Sequence, residues 1–326
     1  MVILAGDIGG TKALLGLFEP AARRPRPIII RSYPTTAFRS FTEILDAFVR
    51  DVAQPFGIDA AAVGVAGPVI DQHARLTNVV WNISAREVSQ RFGAPPVRLL
   101  NDLEAIAHSA DLLAEDEVAV LQEGVMDTDG NAVVIAAGTG LGEAYLHRVN
   151  GRLRPAASEG GHADFAPRTD REIELLRMLR EEHGRGEVEH ILSGPGLLNL
   201  HRFTHGDQLC DHMRGVSPAD GPAAISQAAI DATCNACVEA LSIFVGVYGA
   251  EAGNLGLRGV ATAGVYVGGG MAPKILPALQ DGRFMTAFRA KGVMADLVGQ
   301  MPVKVILNTE SGLIGAAACA QELLEQ

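Results

Sequence analysis

Twice the chain carries an apolar strand into a short turn of glycine and threonine and straight back out along a second apolar strand. The first copy spans residues 2–19 around Gly9-Gly10-Thr11, and the second spans 132–149 around Gly138-Thr139-Gly140. Such a pattern predicts a hairpin each time. Two copies far apart, with no fixed short period, exclude a solenoid and suit two related α/β lobes that each offer one Gly/Thr turn to a ligand cleft.

Between and beyond the hairpins, strand and helix signals alternate. Ser40-Phe41-Thr42-Glu43 and Ser84-Ala85-Arg86-Glu87 match the capping box, in which Ser and Glu satisfy free backbone donors at a helix start. Short apolar runs at 60–66 and 97–100 end on polar or glycine-rich turns and read as buried strands. Helices are expected over 103–113, 169–182, 195–204 and 222–250, then a strand over 260–267 running into Gly268-Gly269-Gly270. A last strand is expected over 303–307 and a closing helix over 311–324.

With 27 Lys and Arg against 38 Asp and Glu, the net charge is −11, which repels nucleic-acid backbones and anionic lipid. Backbone N–H groups and Mg²⁺ can still supply the local positive charge that ATP needs. The N-terminus lacks the basic flank and cleavage site of a signal peptide, so export is not expected. The uncharged run 259–273 is short and broken by Pro273, so no membrane segment is read there. Four cysteines suit a reducing compartment, with the cytoplasm as the expected location. Cys234 and Cys237 form a C-x-x-C, the pattern of a redox or half-zinc motif, but they sit within an Ala-rich run that reads as helix, and buried thiols are the expectation.

Several short motifs could carry chemistry. Asp7-Ile8-Gly9-Gly10-Thr11-Lys12 sets a carboxylate at a strand end, then two residues without side chains, then a hydroxyl and an ammonium. That is a phosphate cradle in which Asp7 could hold Mg²⁺ through water, although Gly-Gly is equally ordinary in a tight turn. Gly138-Thr139-Gly140 repeats the logic. Neither is a P-loop, for want of G-K-[ST] at the required spacing, and neither is a dinucleotide fingerprint, because a strand follows. Gly268-Gly269-Gly270 offers bare backbone on which adenine or ribose can rest, or simply a strand-to-helix turn. Asn101-Asp102 stands where a strand end meets a helix, where Asp is by itself a helix cap before it is a base. Glu159, His162 and Glu189 are hydroxyl-binding groups of the kind that distinguish sugar epimers. Taken singly, each could equally be a solvated residue. His162 with Glu159 lacks a third metal ligand nearby in the sequence.

The ordered set Asp7-Ile8-Gly9-Gly10-Thr11, Leu76-Thr77-Asn78, Asn101-Asp102, Gly138-Thr139-Gly140, Glu159-Gly160-Gly161-His162, Leu192-Ser193-Gly194-Pro195-Gly196 and Gly268-Gly269-Gly270 resembles the bacterial ATP-dependent glucokinases. The likeness covers nearly the whole chain. It implies a two-lobed α/β fold of the actin-like, ribonuclease-H-like ATPase kind, with the active-site cleft between a smaller lobe (1–111 plus 308–326) and a larger one (112–307). It implies glucose and MgATP as partners and a homodimer. Asp102 would be the base that accepts the proton of the glucose 6-hydroxyl. Asn78, Asn101, Glu159, His162 and Glu189 would bind the sugar. Gly6, Asp7, Ile8, Gly9, Gly10 and Thr11, with Gly138, Thr139 and Gly140, would surround the phosphates, and Gly269 and Gly270 would lie near adenosine.

The chain departs from the wider repressor and sugar-kinase family in having no cysteine between His162 and Glu189, where many members carry a zinc motif, so zinc is not expected. It begins at the phosphate hairpin, so a repressor role is not expected either. Lys12 stands where some relatives have Asn, and its role stays open. Two rival readings remain at this point: a kinase for mannose, fructose or an amino sugar, and a non-catalytic sugar sensor of the same fold.

Overall fold

The computed structural model describes residues 1–52, 57–76, 81–93, 95–206, 208 and 210–325. It divides into two compact units, Met1–Ala114 with Asn308–Gln326, and Glu115–Leu307. In the first unit β1 (Ile3–Ile8), β2 (Lys12–Glu19) and β3 (Arg26–Pro34) form an antiparallel meander, and β4 (Ala60–Val65) adds parallel to β1. A small antiparallel sheet follows, made of β5 (Val69–Ile70), β6 (His73–Arg75) and β7 (Asn82–Ser84). β8 (Val97–Asn101) then closes the main sheet in the order β3-β2-β1-β4-β8.

Alternate residues of β1 feed two cores. Leu4 and Ile8 pack with Ile44 and Phe48 of α1 (Phe41–Val52), and Val88 of α2 (Ala85–Arg91) belongs to the same cluster. Ile3 and Ala5 face Ala105 of α3 (Asp102–Ser109) and Leu313, Ala316 and Ala317 of the closing helix, Ser311–Leu323. Covering both faces is what lets β4 be apolar throughout and β1 apolar but for Asp7. The closing helix meets α3 through small residues, since a Cβ at Gly315 would collide with the backbone carbonyl of Ala105.

The second unit repeats the same order. β10 (Ala132–Ala137) pairs antiparallel with β11 (Leu141–Val149), and β11 with β12 (Arg152–Ser158). β13 (Gly264–Gly268) and β14 (Val303–Ile306) add parallel on the other side of β10, and β9 (Val118–Gln122) caps the edge, giving β12-β11-β10-β13-β14-β9. Its helices are α4 (Asp170–His183), α5 (Gly194–His205), α6 (Gly221–Ile230), α7 (Asn235–Gly259), α8 (Leu276–Leu279), α9 (Arg283–Arg289) and α10 (Ala295–Gln300). By length and composition α7 could cross a membrane, but it is mostly buried in this unit, packed on α5, α6, α9 and β10.

Several expected elements need correction. The single helix over 222–250 is two, because Ala232 takes a left-handed conformation (φ 52°) that ends α6. Cys234 therefore lies outside the helix, at the N-cap of α7, and it is half-buried, whereas Cys237 is fully buried as expected. The strand over 260–267 begins only at Gly264, since Val260 (φ 46°) is the left-handed cap of α7. The helix over 103–113 stops at Ser109.

Candidate active site

Each unit carries its own group of candidate residues. In the first, the β1–β2 turn closes through Gly9 N–H to the Lys12 carbonyl (2.9 Å). Behind it, Thr35 holds the loop by donating its hydroxyl to the Gly10 carbonyl (2.7 Å) and its N–H to the Thr11 carbonyl (3.1 Å). Thr11 and Lys12 are exposed, and Gly9 and Gly10 half-buried. Ile8 is fully buried in the core beneath the turn. Gly6 sits inside β1, where a Cβ would press on Val63 (3.0 Å) and Leu15 (3.1 Å), so its bareness serves strand packing.

Asp7 lies against the start of the closing helix, with its Oδ2 2.8 Å from where a Gly312 Cβ would stand. Burial and the neighbouring charge of Asp102 push its carboxyl up to about 6, against the pull of Lys12. Asn101 rather than Asp102 is the helix cap: its side chain accepts from Glu104 N–H (2.5 Å). That leaves Asp102 in the first turn with its carboxylate in contact with solvent and one oxygen accepting from Leu103 N–H (2.9 Å). Protein crowding around the carboxylate raises its pKa, and the backbone N–H groups of Leu103 and Asp102 itself act in the opposite direction. Asn78 lies outside the described residues.

In the second unit, three stretches distant in sequence converge on the Gly138–Gly140 turn. Gly138 N–H bonds the Gly140 carbonyl (2.8 Å), and Gly194 N–H, at the start of α5, bonds the Gly138 carbonyl (2.8 Å). Ser193 caps that helix by accepting from Gly196 N–H (2.9 Å). Glu189 reaches the turn as well, accepting from Leu141 N–H through Oε2 (2.8 Å), and a Cβ at Gly140 would stand 2.6 Å from the same oxygen. Glu189 N–H in turn donates to the Gly161 carbonyl (2.9 Å), which draws the short turn Gly160–His162 alongside. Glu159 and His162 are exposed there, and His162 feels the charges of Glu159, Glu187 and Glu189. At the end of β13, Gly269 adopts φ 83°, and a Cβ on it would collide with the Ala137 carbonyl. Gly138 and Gly270, in contrast, face open space at ordinary φ, so none of the described residues requires them to be glycine. The start of α5 beside Gly138 adds the positive end of a helix dipole, its N–H groups at Gly194 and Gly196 being already bonded to Gly138 and Ser193.

The glucokinase family model matches residues 4–323. The chain belongs to the glucokinase family. A glucokinase from Synechocystis sp. is 38% identical over 98% of both chains. A glucokinase structure from an Antarctic psychrotroph superposes with a TM-score of 0.88 at 31% identity, covering 98% of this chain and 99% of that one. A glucokinase of the wider repressor and sugar-kinase family from Streptomyces griseus, solved with glucose and AMPPNP, shares the fold with a TM-score of 0.65 at 22% identity, covering 99% of this chain and all of the other. The two-lobed actin-like sugar kinase fold expected from the motifs is the fold of these relatives.

Three residues of this glucokinase-family site escaped the sequence reading. Glu187 binds His162 Nδ1 (2.8 Å), and that bond holds the imidazole pKa above its ordinary value. Its place in Glu187-Val188-Glu189, two residues before a singled-out carboxylate, was the available signal. Tyr248 of α7 is fully buried under both glycine turns. Its hydroxyl accepts from Ala137 N–H (3.2 Å) and can donate to the Gly268 carbonyl (3.2 Å), tying the ends of β10 and β13 together. Glu143, on β11, lies beneath Gly160, where an added Cβ would strike its Oε2. Neither of its oxygens has a hydrogen-bond partner among the described residues. Burial, then the charge of Glu251, pushes its carboxyl up to about 7.

Proposed function

We propose that this chain transfers the γ-phosphoryl group of ATP to the 6-hydroxyl of glucose, giving glucose 6-phosphate and ADP, with Asp102 as the base. Membership of the glucokinase family supports the reaction. Glucose and a nucleotide analogue in the Streptomyces griseus relative support the substrates. The observation that carries the base assignment is that Asn101 takes over the capping of α3, which frees the Asp102 carboxylate at a rigid strand-to-helix junction.

Phosphoryl transfer needs positioning and charge stabilisation more than covalent help from the protein. The 6-hydroxyl becomes acidic only as its oxygen bonds to phosphorus, so a carboxylate can accept the proton at that moment. A pKa raised by crowding makes Asp102 a stronger base than an ordinary Asp. Asn101, Glu159, His162, Glu189 and Asn78 are the residues we assign to the sugar hydroxyls. Glu189, already bonded to Leu141 N–H, would also hold the sugar-binding turn to the second glycine hairpin.

The residues 6–11 and 138–140 are assigned to the phosphates, and Gly269 with Gly270 to adenosine. Mg²⁺ fits this donor set: Asp7 is a hard oxygen donor in a crowded site whose carboxyl is destabilised by a second carboxylate, Asp102. Asp7 would hold the ion through water, and the ion would neutralise phosphate charge. The lobes we carry forward are residues 1–111 with 308–326, and 112–307. Cytoplasmic location agrees with four free cysteines, and a homodimer follows from the family likeness alone.

The test is MgATP turnover on a hexose panel with the Asp102→Asn variant beside the parent. Replacement should lower kcat by about 10²–10⁴ with little change in glucose affinity. The parent's acid limb should reflect the raised pKa of Asp102, with kcat/KM falling as pH drops through a value above the ordinary Asp range. Near-normal turnover by the variant would refute the base, and preferential turnover of mannose, fructose or an amino sugar would reassign the substrate.

A further inference from the structure

Away from the glycine turns, α5 and α7 bring together a set of nitrogen and sulfur groups that the kinase reaction does not use. His201 and His205 stand four residues apart near the end of α5, on one face, with their rings stacked at 3.9 Å. Cys210 follows in the next connection. Cys234 caps α7, and Cys237 lies in its first turn. The spacing H-x₃-H of His201 and His205 is that of zinc ligands, and Cys210 and Cys237 approach them from separate elements.

One ligand atom from each of His201, His205, Cys210 and Cys237 lies within 4.8 Å of all the others. Cys210 Sγ and Cys237 Sγ are 3.8 Å apart, and Cys237 Sγ is 4.0 Å from His205 Nε2. A tetrahedral zinc with bonds of about 2.0–2.3 Å separates its ligands by roughly 3.3–3.8 Å, so small side-chain shifts suffice. The imidazoles are already oriented. His205 Nδ1 lies 2.9 Å from the His201 carbonyl, and by donating there it leaves the Nε2 lone pair facing the sulfurs. His201 Nε2 is buried without a hydrogen-bond partner among the described residues, a cost that a metal bond would remove. Cys234 Sγ, 3.3 Å from His205 Nε2, flanks the four on the more exposed side.

We propose that His201, His205, Cys210 and Cys237 form a structural zinc site. Zn²⁺ replaces the two thiol protons of Cys210 and Cys237, which pass to solvent, so the buried centre stays neutral with two neutral imidazoles. Thiolate and imidazole donors select zinc over Mg²⁺ or Ca²⁺, which prefer oxygen. Four protein ligands leave no open position, so the ion is not catalytic. It clamps the end of α5, whose start rests on the Gly138–Gly140 turn, to α7, which carries Tyr248 under the same turn. The site runs against the expectation of no zinc, which was drawn from the absence of cysteine between His162 and Glu189 and did not weigh these four residues.

The full chain, purified without a histidine tag, should retain about one zinc per chain by mass spectrometry of the metal. Cobalt exchanged into it should give the intense visible bands of a tetrahedral thiolate site. Chelation should lower Tm by roughly 5 °C or more. The Cys210→Ser/Cys237→Ser double variant should lose about nine-tenths of the metal. Cys319→Ser, which removes a buried thiol outside the cluster, should keep it. If the double variant fails to fold, the zinc content and cobalt spectrum of the parent decide the matter. Less than about a tenth of a zinc per chain after dialysis against zinc overturns the proposal, as does a disulfide within the cluster in the protein as purified.

Discussion

A carboxylate with 1% of its surface exposed and both oxygens unpartnered among the described residues has to answer for its charge, and Glu143 does so by holding its proton. Its carboxyl moves from 4.5 in a free chain to about 7 in the fold. The native state therefore binds an extra proton between those values. The resulting stabilisation is complete below the unfolded pKa and is lost as pH rises through 7. At about 1.4 kcal/mol per unit, the difference is on the order of 3 kcal/mol by pH 8. In urea unfolding, Glu143→Gln should thus gain stability relative to the parent on going from pH 5 to pH 8. Parallel pH curves for the two proteins would show that Glu143 is solvated or ionised throughout. This residue was not legible in the sequence because an acidic side chain on a strand normally faces water, and only the fold reveals Gly160 lying over it. Glu189 was legible as a site residue, but its bond to Leu141 N–H needed the fold, since 48 residues separate the two. His201, His205, Cys234 and Cys237 had a readable spacing, and what hid it was the continuous apolar run that made C-x-x-C look like helix interior.

Among the elements, those fixed by local chemistry were the easiest to read. Glycine turns, a serine cap and alternating strands are written within a few residues, and both hairpins and the cap at Ser84 formed where expected. Breaks that tertiary packing imposes on non-glycine residues left no such mark. Ala232 and Val260 both adopt left-handed φ, a conformation that costs an L-residue about 1–2 kcal/mol and is worst for a β-branched one. Val260 pays this at the end of α7, where its N–H closes onto the Leu257 carbonyl (3.2 Å) and its side chain is largely exposed. Little packing would be lost on removing that side chain. Val260→Gly should raise stability by roughly 0.5–1.5 kcal/mol, with the relief of native strain exceeding the effect of the added entropy of the unfolded chain. Thermal or urea unfolding measures it, and a less stable variant would mean that the exposed Val260 methyls pack better than their surface area indicates.

Across the whole molecule, the two units share a strand order but differ in how the chain builds them. Glu115–Leu307 is continuous and contains its own core, from β10 and β13 through α5, α7 and α9. Met1–Ala114 is not self-sufficient, because one face of its sheet is covered by Leu313, Ala316, Ala317, Cys319 and Ala320 of the closing helix. Without that helix, Ile3, Ala5, Ala60 and Ala62 would meet water, and Asp7 would lose its contact with Gly312. At about 25 cal/mol per Å², uncovering even 300 Å² of apolar surface costs on the order of 7 kcal/mol, comparable to the whole stability of a domain. The fragment 115–307 should therefore unfold cooperatively on its own, with near-native helical content by circular dichroism. The fragment 1–114 should remain unfolded or loosely collapsed until a peptide spanning 308–326 is added. A cooperative urea transition for 1–114 alone would show that the closing helix is an accessory to a core already complete. Failure of 115–307 to fold would show that the larger unit depends on the rest of the chain.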